Sequence, residues 1–439
     1  MKTQLFILGI IITLLAFVSC KQTVETLPHT PASPQTEAQF DRSHPVKIID
    51  VNQAIENSQP LKLSQIASSI EYHLVGDGAY TVKQAIEMPE DSAFITFNHP
   101  RIYYRRLGRP SKRYGFKALD YKWNNCMNGQ NLFYDKKTTR MYVALSGKDK
   151  ETRKTGIDSI PCIGELPTLD TMLTIANYIF PESLPAKYPI NAEENQLVGF
   201  SSSGYTLGHY APGTGEPSGI MTFNLQGDTL CKFQLKEGQM ADTSVTNYIP
   251  SFQTFYWNKA QDKMTFMIPY CDTVYQLCNP HTITPRYAIH FGENRIDLSQ
   301  VEGELPKGKT WVKTLWENPK GIFMGIFKKG APFVRGWFPY PGDYKPTITH
   351  QIVYLKEEGK SVSIPFNPRA GLQGFINDLD DGFPFWPDGH TDDCLYMIRS
   401  VTEMRMLIKR TNSPKQQKLL QLLDDPAVKE RDYMMIVVR

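Results

Sequence analysis

The sequence has no C-x-x-C pair, no H-x-H and no H-E-x-x-H. Neither a structural zinc centre nor a thioredoxin-type dithiol is therefore written into it. Net charge is also scarce: 48 Lys and Arg stand against 45 Asp and Glu, leaving +3. With no basic stripe interleaved with stacking aromatics, no nucleic-acid partner is expected. The basic run RIYYRRLGRPSKR, from Arg101 to Arg113, alternates like an ordinary strand with a solvated face. GFSSSG, at 199–204, carries Ser203 where a G-x-S-x-G elbow needs glycine, and the following YTLGHY reads as a strand, not as the required helix. GTGEPSG, at 213–219, lacks Gly-Lys-Ser/Thr and also precedes a strand, which excludes a phosphate loop. Long amphipathic helical periods are missing as well.

Long apolar runs are absent except at one place. MKTQLFILGIIITLLAFVSC opens with Lys2 and runs apolar from Leu5 to Val18, broken by Gly9 and Thr13. This run is short for a membrane-spanning helix, which takes about 20 residues, and has the layout of a secretory signal. Small residues precede Cys20, so the segment resembles a bacterial lipoprotein signal whose cysteine is lipidated. Phe17 departs from the leucine usual in such signals. Residues 21–45 are rich in Pro, Thr, Ser and Gln and poor in large apolar side chains, the composition of a flexible tether. The expected organisation is a signal at 1–20, a tether at 21–45 and a folded domain at 46–439. The expected location is the outer membrane, held through the N-terminal lipid, on its periplasmic or cell-surface face. Lys21 and Gln22 directly after the cysteine leave the choice of face open.

Aromatics are abundant at 12%, with 22 Tyr and 23 Phe, and together with frequent turn residues they point to β-structure. LFYDKKTTRMYVALSG reads as a hairpin turning at Lys136 to Thr139. LVGFSS, YTLGHY, IMTFNL and LCKFQL read as four strands, and HQIVYLKEEGKSVSI as another hairpin. KIIDVN reads as the first strand, and LSQIASSIEYHLVG as the next strand segment. TLDTMLTIANYIF, at 168–180, is the one moderate helix expected in the first half. Near the end, Asn412-Ser413 and Pro414 suit a helix start, with Leu419, Leu420, Leu422 and Leu423 on one broad face. DYMMIVVR then reads as a final strand. Groups of four strands recurring along the chain predict an all-β fold: a β-propeller, six-bladed, with a short C-terminal helix and a closing strand. Blades of about 60 to 65 residues would exceed the usual propeller repeat of about 40 to 45, so large loops are implied. A pair of β-sandwiches is the rival.

PLKLSQIASSIEYHLVG, DTVYQL, NDLDDGFPFWP and the closing LLDDPAVKERDYMMIVVR together resemble the six-bladed β-propeller lipoproteins of Bacteroidetes, a family of uncharacterised function. The likeness covers nearly the whole mature chain. Asp425-Pro426 stands where family members place Asn-Pro, and AVKERD intervenes before the last strand. The resemblance implies the fold and the anchor and transfers no catalytic residue.

The densest chemistry lies in NDLDDGFPFWPDGHTDD, Asn377 to Asp393, which holds six aspartates, one histidine and three aromatics. An EF-hand loop counted from Asp378 would need glycine sixth and glutamate twelfth, yet Gly382 falls fifth and Gly389 twelfth. A looser cation site, with calcium as the candidate ion, would use Asp378 and Asp380 with Asp381 and Asp392. A catalytic carboxylate pair for glycoside cleavage is a further reading. The plainest reading is aspartates at tight turns with Phe383, Phe385 and Trp386 packed inside. Candidate ligand-binding residues are Trp337 and Tyr340 in GWFPYPGDY, with Trp386 and His390. The expected function is a binding or interaction module for a glycan, peptide or envelope protein. The alternative is a polysaccharide-active hydrolase or lyase with acidic residues in the central channel.

Overall fold

The computed structural model describes residues 38–76, 272–296, 307–332, 348–365, 373–391 and 394–439, together with the strands between 84 and 267. These residues are mostly β-sheet, with few helices. The first segment holds β1 (Gln39–Phe40), β2 (Lys47–Asp50) and helix α1 (Val51–Glu56). A 3-10 turn at Leu63–Gln65 then leads into β3 (Ile70–Gly76). β4 (Gln84–Met88), β5 (Ala93–Asn98), β6 (Arg101–Arg106) and β7 (Lys112–Gly115) form an antiparallel sheet in chain order. β8 (Leu132–Asp135), β9 (Arg140–Gly147) and β10 (Ile160–Leu166) form a second, and β11 (Leu197–Phe200), β12 (Tyr205–Tyr210), β13 (Gly219–Asn224) and β14 (Thr229–Gln234) a third. The fourth contains β15 (Met264–Met267), β16 (Thr273–Asn279) and β17 (Thr282–His290), with both β1 and β2 added in parallel to β17. β18 (Thr310–Glu317), β19 (Gly321–Lys328), β20 (His350–Leu355) and β21 (Lys360–Ile364) make the fifth. The sixth runs β22 (Gly389–His390), β23 (Leu395–Ser400), β24 (Tyr433–Val438), then β3. Helices α2 (Val401–Leu407) and α3 (Gln417–Asp424) lie between β23 and β24 in the chain.

The expected hairpins form where the alternation places them. Asp135 pairs with Arg140 across β8 and β9, and Leu355 pairs with Lys360 across β20 and β21. KIIDVN is corrected: its strand stops at Asp50, whose Oδ1 accepts from the Gln53 amide at 2.8 Å and caps α1. Aspartate is among the strongest N-caps, so a helix starts where a strand would otherwise continue. The strand in LSQIASSIEYHLVG likewise begins at Ile70. At the C-terminus Pro414 does open the helical stretch, as a 3-10 turn at Pro414–Gln416. Ser413 does not cap it, because its hydroxyl donates to Asp381 Oδ2 at 2.5 Å. Leu419 and Leu423 are buried, while Leu420 and Leu422 are half-buried. The helix expected at 168–180 lies outside the described residues.

Residues 39–76 tie several sheets together. Phe40 meets Phe233 of β14 edge-on at 6.1 Å. Ile49, Val51 and Ala54 pack with Tyr287, Ile322 and Ile352 in a core shared by the fourth and fifth sheets. Leu61 and Leu63 enter a second core with Phe323, Phe375, Phe385 and Met434, which joins the fifth and sixth sheets. Each fully buried Ile, Leu or Phe contributes roughly 1.5–3 kcal/mol, so this segment is a principal source of cohesion.

Candidate functional site

The acidic stretch is built into this second core. Phe375 exchanges two backbone hydrogen bonds with Phe385, at 2.8 and 3.1 Å, folding the segment back on itself. Phe383, Phe385 and Trp386 are buried. Trp386 packs on Phe375 at 6.3 Å and edge-on to Phe323 at 6.4 Å, so it is a core residue and not a surface platform. The aspartates around these aromatics are each engaged. The Ser64 amide and hydroxyl donate to the two carboxylate oxygens of Asp378, at 3.0 and 2.7 Å. Burial raises the Asp378 carboxyl, but the Ser64 hydrogen bonds outweigh it and hold the group below the usual carboxylate range. Asp380 Oδ1 accepts from Asn377 Nδ2 at 2.6 Å and from the Gly382 amide at 3.0 Å. Burial raises its carboxyl against those bonds. The buried Tyr72 hydroxyl stands beside Asp380 without a well-aligned hydrogen bond, and burial followed by the Asp380 charge raises its pKa. Asp381 occupies the left-handed region at φ 57°, a conformation that Asp tolerates better than most residues. Its carbonyl accepts from Gln416 Nε2 at 2.6 Å.

Asp378 and Asp380 thus face different partners: one clamps the 3-10 turn at Leu63–Gln65, the other its own loop. Among the described residues no group of three or more His, Cys, Asp or Glu side chains could hold a metal ion. Asp392 and Asp393, like Cys20, Trp337 and Tyr340, lie outside the described residues. His390 is half-buried with its ring 5.4 Å from that of Trp316.

A second constellation escaped the sequence reading. Glu317, at the end of β18, is buried between the fourth and fifth sheets, with its side chain 2% exposed. Lys356 Nζ donates to Glu317 Oε1 at 2.6 Å and to the Asn318 carbonyl at 2.6 Å. Arg286 Nη1 approaches the same carboxylate oxygen at 3.5 Å, and its Nη2 donates to the Tyr287 hydroxyl at 3.3 Å. The register between β16 and β17 shifts so that Pro285 pairs with Tyr275 and Tyr287 with Val274, leaving Arg286 as the extra residue of a bulge. Bulges re-aim side chains; this one brings Arg286 to Glu317. Burial, reinforced by Glu317, pushes the Tyr287 phenol up to about 12. Burial lowers the Lys356 ammonium, with Glu317 opposing. Glu317 Oε2 is buried with no hydrogen-bond partner. A similar bulge in β18 sets Lys313 into a buried position, where desolvation draws its ammonium down to about 7. The available signal was the pair of charges in the otherwise apolar strand TWVKTLWE.

Removing one partner of a buried ion pair strands the other, at a cost of about 3–5 kcal/mol. Glu317→Gln is expected to lower stability by about 3 kcal/mol, because Lys356 and Arg286 lose their counter-charge. The double variant Glu317→Gln/Lys356→Met is expected to regain most of that loss in urea unfolding, with the midpoint as readout. Equal midpoints for wild type and Glu317→Gln would remove the cluster from the fold's cohesion.

A third group joins Asp388, Arg399 and Glu403. Asp388 Oδ2 accepts from Arg399 Nη1 at 2.7 Å and from the Ile398 amide at 2.8 Å. Glu403, in the first turn of α2, is 1% exposed, and its Oε1 lies 3.9 Å from Arg399 Nε. Burial raises the Glu403 carboxyl to about 7, with Arg399 opposing and Asp388 reinforcing.

A comparison with curated proteins finds no match. Among solved structures the chain is similar to a member of the DUF4221 family from Bacteroides vulgatus, at 9% identity and TM-score 0.34, covering 85% of this chain and 97% of the other. It is also similar to a protein assigned as TolB from Agrobacterium tumefaciens, at 12% identity and TM-score 0.32, covering 70% and 90%. Likenesses of this strength carry no residue's role across. A family profile, in contrast, matches residues 31–410, and the chain belongs to that family, a domain of unknown function (DUF4933).

Proposed function

We propose that the chain is a membrane-anchored β-propeller of the cell envelope, six-bladed, that serves as a binding or interaction module for a glycan, peptide or partner protein. The observation that carries this reading is the succession of six sheets among the described residues, with β24 lying between β23 and the N-terminal β3. Pairing a terminal strand into the sheet at the other end of the chain is the arrangement a propeller uses to avoid free edges. The signal-like segment, Cys20 and the tether support the anchor. A hydrolase or lyase has less support, since Asp378 and Asp380 spend their carboxylates on Ser64, Asn377 and Gly382.

Two measurements test the proposal. Cells expressing the full chain are expected to incorporate labelled palmitate and to hold the protein in the membrane fraction. Cys20→Ser is expected to abolish both. Labelling that persists in Cys20→Ser would overturn the anchor. For the binding role, pull-down from native membranes is run beside a glycan array. Hits confined to one glycan class support a glycan ligand, and a clean array with one stoichiometric protein partner supports an interaction module. Polysaccharide cleavage that disappears in Asp378→Asn while folding is retained would replace the binding reading with the enzymatic one.

A further inference from the structure

We propose that Asp388, Arg399 and Glu403 form a proton-operated latch, in which one guanidinium is shared between the segment entering β22 and the first turn of α2. Three observations converge on it. Asp388 is anchored on β23 by two donors, the Arg399 guanidinium and the Ile398 amide. Glu403 is buried against the same guanidinium, yet its Oε1 has no hydrogen-bond partner, and neither does Arg399 Nε. The two orphan atoms are 3.9 Å apart, beyond hydrogen-bond reach and within the range of a small side-chain rotation. One cation is thus set between two carboxylates and bonded to one of them.

The charged groups whose fields reach Glu403 are Arg399 on β23 and Asp388 ahead of β22. Arg405, on the same helix, turns instead to the Leu423 and Val428 carbonyls, at 2.6 to 2.9 Å. Asp432, next to β24, accepts from the Lys429 amide. The Ser400 hydroxyl accepts from the Glu403 amide, and the Ser400 backbone amide lowers the Glu403 carboxyl, while Oε1 has no hydrogen-bond partner. A protonated Glu403 asks nothing of Arg399, and Asp388 keeps the guanidinium. An ionised Glu403 is a second buried anion, and the orphan Arg399 Nε, 3.9 Å from Oε1, is an unused donor beside it. Drawing the guanidinium across loosens Asp388, and with it the turn that carries Gly389 and His390 against Trp316.

The direction of the pH dependence follows. The carboxyl holds its proton more tightly folded than unfolded, at about 7 against 4.5. Its contribution is therefore fully present below about 4.5 and is lost as pH rises through about 7.

Amide hydrogen exchange on the full chain at pH 6.0 and 8.5, corrected for intrinsic rates, reads the latch at the Ile398 amide. Wild type is expected to lose protection about tenfold or more at the higher pH, and Glu403→Gln to lose none. An equal loss in Glu403→Gln, or no loss in wild type, overturns the proposal. Should Glu403→Gln not fold, wild type labelled with 13C at the glutamate carboxyls gives the answer directly. A Glu403 resonance titrating near neutrality together with the Ile398 amide shift upholds the latch, and one titrating in the ordinary carboxylate range overturns it.

Discussion

Gly374→Ala is expected to cost more than about 4 kcal/mol, the range reserved for a named structural failure. Gly374 sits at φ 154°, and a Cβ there would overlap the Phe385 carbonyl oxygen and stand 2.5 Å from the Phe385 carbonyl carbon. The obstacle is backbone, so no rotamer change relieves it. Moving that backbone breaks the pair of hydrogen bonds between Phe375 and Phe385, and both of those side chains are 0% exposed. The loss therefore spreads into the core that Trp386 and Phe323 share. Gly359→Ala is the matched control. It too has positive φ, at 63°, but the nearest atom to its Cβ is the Tyr354 hydroxyl at 3.9 Å. Its cost is expected to stay near the conformational term alone, about 1 kcal/mol. Denaturant midpoints of the two variants, measured with unchanged slopes, separate these expectations. Similar losses for both would show that the approach of Gly374 to Phe385 is not what holds the acidic stretch in place.

The hairpins were legible because their information is local: period-two alternation on both sides of a short polar turn, as at β8–β9 and β20–β21. The parallel addition of β1 and β2 to β17 was not, since it joins residues separated by more than two hundred positions, and nothing in QF or KIID names that partner. α1 and α2 span six and seven residues, too few for a helical period to show. Their caps were nevertheless readable: Asp50 before Val51, and Ser400 three residues before Glu403, which is the spacing of a capping box. The same limit governs the sites. NDLDDGFPFWPDGH announced buried aromatics beside turn-forming aspartates, and the structure has that arrangement. Which donor each aspartate receives depended on Ser64, Ser413 and Arg399, all distant in sequence or on other elements. Glu317 was the harder case, because its partners Arg286 and Lys356 lie 31 and 39 residues away, and a bulge that no residue type signals aims one of them.

A chain ending at Arg431 is expected not to fold cooperatively at all. β24 is buried along its full length, Tyr433 to Val438, as a strand flanked on both edges by β23 and β3. Its even and odd residues serve different cores: Met434, Ile436 and Val438 join Phe375 and Trp386 on one face, while Tyr433, Met435 and Val437 pack with Val75 and Tyr396 on the other. Apolar residues at every position are what a strand covered on both faces requires. Six such side chains at roughly 1.5–3 kcal/mol each sum to about 9–18 kcal/mol, which matches or exceeds the about 5–15 kcal/mol that holds a typical domain folded. β3 would also lose the strand that pairs with it across six residues. Arg439→Ala tests whether the effect belongs to the strand or to the terminus. It keeps the backbone hydrogen bonds of residue 439 with Ser68 and Ser69. What it removes is the partly exposed ion pair with Glu71 at 2.8 Å, worth about 0–1 kcal/mol. A cooperative thermal transition and near-ultraviolet circular dichroism close to wild type are expected for Arg439→Ala, and neither for the truncated chain. A truncated chain that still melts cooperatively would mean that the first five sheets stand without the sixth, so that the segment running from β1 to β3 holds its sheets together without help from the C-terminal strand.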